Sequence, residues 1–551
     1  MLVTVANAAK PVTVDDTAYL LFARQIAAHP ADPYGFTLFW WSEPEPAMEI
    51  LLPPVVPYWL ALGMKLFGEH VALLKLWLFP FVWLLAWALG ALRRRFARGA
   101  DGRVLPLLML SPAVLPTVNL MLDVPAVALV LASVELFIRA CRVGRGAPLA
   151  SARGAGVNWP LAALAGVVAA LAMQAKYSAF VAPVVIAWFG ITHRRLALAA
   201  VAVGVCVATF VAWELWLVQK YGESHFAFHA SAARGGVSAK LDLAGPLTGY
   251  LGCLAVGGGL LAASALRVPR RWLAGVAGVW CAGFSLAAFL PRRWTMVNAD
   301  VSAVTAFWPV GGAVWLAAVV ACAFVLLVRV RKGLSVRANR ATLFVVGWLI
   351  IEVVAVLGLT PFAAARRVIG VTLVLGLLAA RATSRVSRAH PDRKPPNWVF
   401  AVGIAAGVLV AALDTFDAYP EKVCAEGAAE FTRGRPEGAT VWYAGHWGFQ
   451  FYCEREGMKP LIANQTVVRA GDYVVLPAYP PGDSFPRPYA GFGVVHPPKG
   501  IADLVAEAVW DDWLSAKTVP NFYGGVNPVS GRDAPRLRVR VYRLTADWVM
   551  P

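Results

Sequence analysis

Charge is scarce in this 551-residue chain: Asp, Glu, Lys and Arg together supply 15% of the residues while hydrophobic types supply 59%. Soluble domains carry about 25% charged and 45–50% apolar residues, so a single water-soluble fold is excluded. Acidic residues are the rarer sign, 32 against 50 basic ones, for a formal net charge of +18. In a soluble protein that excess would point to nucleic acid. Here the basic residues stand in short runs between apolar segments, which excludes that reading and fits cytoplasmic loops of a membrane protein instead. Cysteine is sparse too, seven in all, with no C-x-x-C pair, and no His/Asp/Glu cluster has ligand spacing. Neither a metal centre nor a cofactor is expected. Cys424 and Cys453 form the one pair for which a disulfide is considered, since both fall in a region placed outside the cytoplasm.

What the chain has in abundance is long apolar runs. Val71 to Leu92, Leu196 to Val218, Leu247 to Leu266, Ala306 to Val328 and Ala341 to Thr360 each approach or reach the roughly 20 residues that cross a bilayer core. Read with the basic runs at 93–103, 139–153, 194–195, 267–271, 329–340 and 381–394, they give about twelve crossings, near 71–92, 104–121, 124–140, 159–174, 178–192, 196–218, 246–266, 272–290, 304–328, 341–360, 367–381 and 398–414. The fold class expected is an all-α polytopic membrane protein with a small C-terminal extracytoplasmic α/β domain.

Three regions follow: a first extracytoplasmic loop over 1–70, a transmembrane helical domain over 71–414, and a soluble domain over 415–551. The third is marked by turns such as Gly434-Arg435-Pro436 and Pro480-Pro481-Gly482-Asp483. In it, Ala439–Tyr443 and Tyr473–Leu476 read as buried strands, Phe449–Glu456 as a helix, and Arg536–Leu544 as an alternating edge strand. Met1 to Ala9 is too short to span and is no signal peptide, so a span upstream of Met1 would be needed to carry residues 1–70 across.

The candidate chemistry gathers on the outer side. Asp15 and Asp16 precede a helix with Tyr19 on its buried face, where they serve either as helix caps or as functional carboxylates. Asp123, in Leu122-Asp123-Val124-Pro125, and Lys176 are lone ionisable residues between apolar runs, a costly placement that marks functional candidates; a cap with Pro125 in the first turn is the competing reading for the aspartate. Arg366 and Arg367 lie at an outer membrane edge, against the usual charge bias. They suit an anionic lipid head group or interfacial anchoring. His446, between aromatics in Val441–Tyr452, is read as a sugar-stacking or a core residue.

These features in this order, together with Pro53-Pro54 running into the aromatic stretch Tyr58-Trp59-Leu60, resemble the polytopic GT-C glycosyltransferases over most of residues 12–420. The branch resembled holds the protein O-mannosyltransferases and the lipid A aminoarabinose transferase. Leu51-Leu52 depart from it, standing where many relatives carry Lys or His before the paired prolines. The resemblance implies a bacterial inner-membrane enzyme that moves a sugar from a polyprenyl-phosphate donor to a lipid, glycan or protein acceptor. It also implies that Asp15, with Asp16, is catalytic, that Asp123 and Tyr19 support acceptor or loop, and that Lys176, Arg366 and Arg367 bind donor phosphate. A transporter or lipid flippase, an inactive copy and a membrane-anchored binding protein are the alternatives. The internal repeats common in transporters are not evident here.

Overall fold

The computed structural model describes residues 2–40, 43–141, 157–232, 240, 242–290, 303–331, 336–360, 362–391, 394–478, 497, 500–519, 527–532 and 535–550. The turn expected at Pro480–Asp483 and most of the loop expected at 291–303 lie outside them. Among the described residues, seven helices are long and apolar enough to cross a membrane: Val71–Phe96, Leu196–Tyr221, Arg270–Phe289, Ala306–Val328, Arg340–Leu359, Ala365–Ala389 and Asn397–Thr432. Their outward faces carry exposed large apolar side chains, among them Val279 at 67% and Phe324 at 66%. Such faces are stable only against lipid, so the chain is a multi-pass membrane protein.

Differences from the twelve expected segments have local causes. The segment 104–121 is no continuous helix but a short one, Val104–Met109, followed by a 3-10 turn at Leu115–Thr117, because Pro106, Pro112 and Pro116 interrupt the backbone ladder. The segment 246–266 is two helices, Ala244–Leu254 and Val256–Ala265, bent by 79°. Asp123–Ala140 is a helix of 18 residues that includes Asp123, Glu135 and Arg139. It holds Glu135 buried between Arg95 (2.6 Å) and Arg139 (2.7 Å).

The last apolar helix, Asn397–Asp417, runs almost directly into Tyr419–Thr432, which packs on a five-stranded sheet. We label the strands β1 (Thr37–Phe39), β2 (Pro44–Pro46), β3 (Val441–Tyr443), β4 (Lys459–Pro460), β5 (Val467–Val468), β6 (Tyr473–Ala478), β7 (Ala502–Trp510), β8 (Leu537–Leu544) and β9 (Trp548–Val549). The C-terminal sheet has the order β4-β3-β6-β8-β7, with β3 parallel to β4 and β6, and β8 antiparallel to β6 and β7. The strand ending at Leu544 is therefore interior and not an edge. Its alternation, with Leu537, Val539 and Val541 buried, reports one face packed on the helix Tyr419–Thr432 and one less covered, a pattern that edge and interior strands of antiparallel pairs share. Cys424 and Cys453 are both free thiols, so the disulfide considered above does not form. The buried core is continuous from Leu20 and Leu60 through the membrane helices to Val539 and Val541.

A polar lock joins the membrane part to this sheet. Asp417, at the end of Asn397–Asp417, accepts from the backbone N–H groups of Thr518 and Val519 at 2.8 and 2.9 Å and pairs with Arg536. Arg536 also donates through Nε to Asp512 at 2.6 Å. Burial works against the charge on Asp512, but the Arg536 hydrogen bond and charge prevail and hold its carboxyl below the usual range. That contribution is present above the ordinary aspartate pKa and is lost as pH falls through the depressed one. Replacing Arg536 by Met takes the charge partner from buried Asp417 and leaves Asp512 to Arg532 alone, so the C-terminal sheet is expected to loosen at a cost of about 3–5 kcal/mol. Thermal unfolding and limited proteolysis in nanodiscs read this out; an unchanged protein would dismiss the lock.

The N-terminal region forms the antiparallel hairpin β1–β2, in which Leu38 faces Glu45. Burial, with Glu49 and Glu43 nearby, raises the Glu45 carboxyl to about 7. A raised folded-state value favours the folded hairpin at low pH, and this preference fades as pH rises through about 7. Amide protection over residues 36–40 and 43–47, with the intrinsic exchange rate at each pH divided out, is expected to be lower at pH 8 than at pH 6, and the difference should vanish in Glu45→Gln.

Candidate active site

The acid pair is placed by an unusual backbone. Val14 has φ of 49°, a left-handed conformation that costs a β-branched residue on the order of 1–3 kcal/mol. It turns the chain into the helix Asp16–Ala28 with Asp15 at the N-cap position. Asp15 occupies the cap position but makes no side-chain capping hydrogen bond. Instead its Oδ2 lies 2.7 Å from Nη1 of Arg366, and the side chain keeps 23% of its exposure. Asp16 is sealed, with neither carboxylate oxygen hydrogen-bonded among the described residues, and Lys75 Nζ stands 3.7 Å from Oδ2. Desolvation raises the Asp16 carboxyl above its ordinary value despite the opposing Lys75 and Lys10 charges.

Arg366 comes from the 3-10 turn Ala365–Val368 that opens Ile369–Ala389, and it also reaches the Met121 sulfur at 3.1 Å. Two residues on, Asp123 begins its helix and pairs with Lys176. Lys176 stands in the extended break between Trp159–Ala175 and the turn Tyr177–Phe180. Tyr19 is 6% exposed. Burial pushes its hydroxyl well above the ordinary tyrosine range, and Asp15, Arg366, Asp123 and Asp16 all act on it electrostatically. Side chains from four stretches of sequence thus meet around one point: two ion pairs, Asp15–Arg366 and Asp123–Lys176, beside a buried tyrosine.

Arg367 adjoins this cluster, within electrostatic reach of Asp123, Lys176 and Asp15. Its guanidinium lies 4.1 Å over the Phe362 ring, its Nε has no hydrogen-bond partner among the described residues, and it borders a small gap with Tyr250 and Thr360. A second cation, Lys240, donates to the Thr360 carbonyl at 3.1 Å. The sequence reading missed Lys240.

It also missed what supports the acid pair. Lys75 Nζ donates to the carbonyls of Lys10 and Pro11 at 2.7 and 3.0 Å. Lys10 pairs with Asp414, and both side chains are fully buried. Lys75 and Asp414 are ionisable residues inside or at the end of apolar runs, the same signal that singled out Asp123 and Lys176; Lys10 gives no such signal. From the other side, Val12 N–H donates to the Tyr452 hydroxyl at 2.9 Å and the Thr17 hydroxyl donates to the Trp447 carbonyl at 2.6 Å. Gly448 is required there: a Cβ would lie 2.4 Å from the Val12 carbonyl oxygen and from Glu421 Oε2. His446 is buried against the Phe39 ring, with centroids 5.2 Å apart. That is the core arrangement, and the aromatic segment 441–452 clamps the acid-bearing loop. No group of three or more His, Cys, Asp or Glu among the described residues could hold a metal ion.

No family model and no curated protein matches the sequence. Solved structures similar to the chain include ArnT from Cupriavidus metallidurans bound to undecaprenyl phosphate, 16% identical with a TM-score of 0.43 over 86% of this chain and 91% of that one. The oligosaccharyltransferase AglB from Archaeoglobus fulgidus, in complex with an inhibitory peptide and a dolichol-phosphate, is 12% identical with a TM-score of 0.45. That match covers 83% of this chain and 63% of the other. Both are GT-C superfamily members. The likenesses are distant.

Proposed function

We propose that this protein is a membrane glycosyltransferase that moves a sugar from a polyprenyl-phosphate donor to an acceptor hydroxyl on the side of the membrane that carries the C-terminal domain. The observation that carries this reading is the meeting of Asp15–Arg366 and Asp123–Lys176, carboxylates and cations held side by side at the end of the membrane helices. Sugar transfer from a lipid phosphate needs both signs. A carboxylate takes the proton of the acceptor hydroxyl as its oxygen attacks the anomeric carbon. The bond from that carbon to the phosphate oxygen breaks, and cations offset the charge left on the lipid phosphate.

Asp15 is the base in this scheme, because it keeps partial exposure whereas Asp16 is sealed. With Oδ2 held by Arg366, Oδ1 is the oxygen that takes the proton. Asp16 and Lys75 position the helix start from below. Tyr19 and Asp123 support the pocket, with Asp123 holding Lys176 in place. Lys176, Arg366 and Arg367 receive the phosphate; the Nε–H of Arg367 is a donor available for a phosphate oxygen.

The test is transfer of radiolabelled sugars from polyprenyl-phosphate donors to membrane acceptors by the purified protein in nanodiscs. Asp15→Asn is expected to lower turnover by about 10²–10⁴-fold, and Arg367→Gln by about 10²–10³-fold. An Asp15→Asn protein as active as its parent would remove the base assignment. Absence of transfer with every donor would remove the reading itself.

A further inference from the structure

The helix that begins at Asp16 has a second use at its other end. Between Leu21 and His29 it walls an open cleft of about 430 Å³, closed on the opposite side by β1 and by the helix Trp447–Arg455. Arg24 lies eight residues beyond Asp16, so the cleft is about 12 Å along the helix from the acid pair. Its volume falls within the range of small-molecule sites, about 300–1,000 Å³.

The chemistry of the wall is specific. Gln450 lines the cleft and is fully buried. Its Nε2 donates to the Phe39 carbonyl at 3.0 Å and to Glu454 Oε1 at 2.9 Å. Both partners only accept, which fixes the amide orientation. Its Oε1 is left buried with no hydrogen-bond partner among the described residues, an acceptor that a water or a ligand hydroxyl would satisfy. The Phe36 and Phe39 rings stand half-buried on the same wall. Arg24 is already engaged by Glu69 through Nε at 2.7 Å, and Glu454 adds a negative group, so the cleft offers no uncompensated cation to an anionic head group.

We propose that this cleft binds a neutral saccharide unit of the acceptor. Sugar hydroxyls supply the donor that Gln450 Oε1 lacks, and Glu454 is a further acceptor beside it. The C–H face of a pyranose ring packs against Phe36 or Phe39. An acyl chain would leave the buried carbonyl unmet, and a phosphate would face Glu454. The proposal rests on the glycosyltransferase reading for its biological meaning: a sugar held here lets an extended glycan reach Asp15. Its binding chemistry stands independently of that reading.

The experiment uses the full chain in nanodiscs with no donor present. Saturation-transfer NMR with lactose, maltose and N,N′-diacetylchitobiose is expected to show contact for at least one of these disaccharides. Gln450→Met removes the acceptor. Thr37→Trp fills the mouth from an exposed position and keeps the test valid should the buried change impair folding. Each variant is expected to weaken disaccharide binding about tenfold or more, as loss of a buried hydrogen bond or blockage of its wall does. No signal from any disaccharide, equal binding in Thr37→Trp, or a signal from a Gly-Ser-Gly peptide in place of the sugars would overturn the proposal. Because no donor takes part, a failed transfer assay leaves this result unaffected.

Discussion

A charge removed from water must be met by another charge or by several hydrogen bonds, since its desolvation costs several kcal/mol. This chain buries an unbroken series of such groups. Asp16 faces Lys75, Lys75 holds the carbonyls of Lys10 and Pro11, Lys10 pairs with Asp414, and Asp414 accepts from the Thr518 hydroxyl at 3.1 Å. One turn further along the same helix, Asp417 holds Arg536 and the backbone at Thr518 and Val519. Each member is partnered by a residue far away in sequence, so the N-terminal segment, the first and last membrane helices and the C-terminal sheet have one mutual arrangement in which every charge of the series is met. The positions of Asp15 and of the cleft behind it both depend on that arrangement.

The two carboxylates of the acid pair illustrate how environment separates roles. They are adjacent in sequence and chemically identical, yet Asp16 points into the buried series while Asp15 turns toward Arg366 and stays reachable. The left-handed backbone at Val14 makes this division. Strain at that residue is balanced by the contacts of Val12 and Thr17 with the segment 441–452. The C-terminal sheet therefore belongs to the architecture around Asp15: its aromatic segment grips the loop through Val12 and Thr17, and Arg536 ties it to the last membrane helix through Asp417. Gln450, one turn beyond His446, then becomes part of a wall facing the same helix.

Several readings of the sequence and the structure coincide for a physical reason. Long apolar runs have no stable home in water, so membrane helices were legible from composition alone. Lone ionisable residues between such runs were legible as well, because they are expensive to insert; Asp123 and Lys176 stand out by this signal and are found paired. Lys75 and Asp414 carried the same signal and were passed over, because one lies within an apolar run taken as a plain span and the other at the end of one. The strand ending at Leu544 was read as an edge strand because its alternation shows only that one face is packed. What hydrogen-bonds along its two sides is set by β6 and β7, which are distant in sequence.

The sequence by itself determined a multi-pass membrane protein with a small α/β region at its C-terminal end and a short list of charged residues too costly to be accidental. Those are consequences of composition and local order, which every window of the chain states for itself. Only the tertiary structure decided which charge meets which, that Asp15 remains open while Asp16 is sealed, and that Gln450 closes a cleft against the helix that starts at the acid pair. Pairing across hundreds of residues depends on distances in space, and a linear pattern fixes none of them.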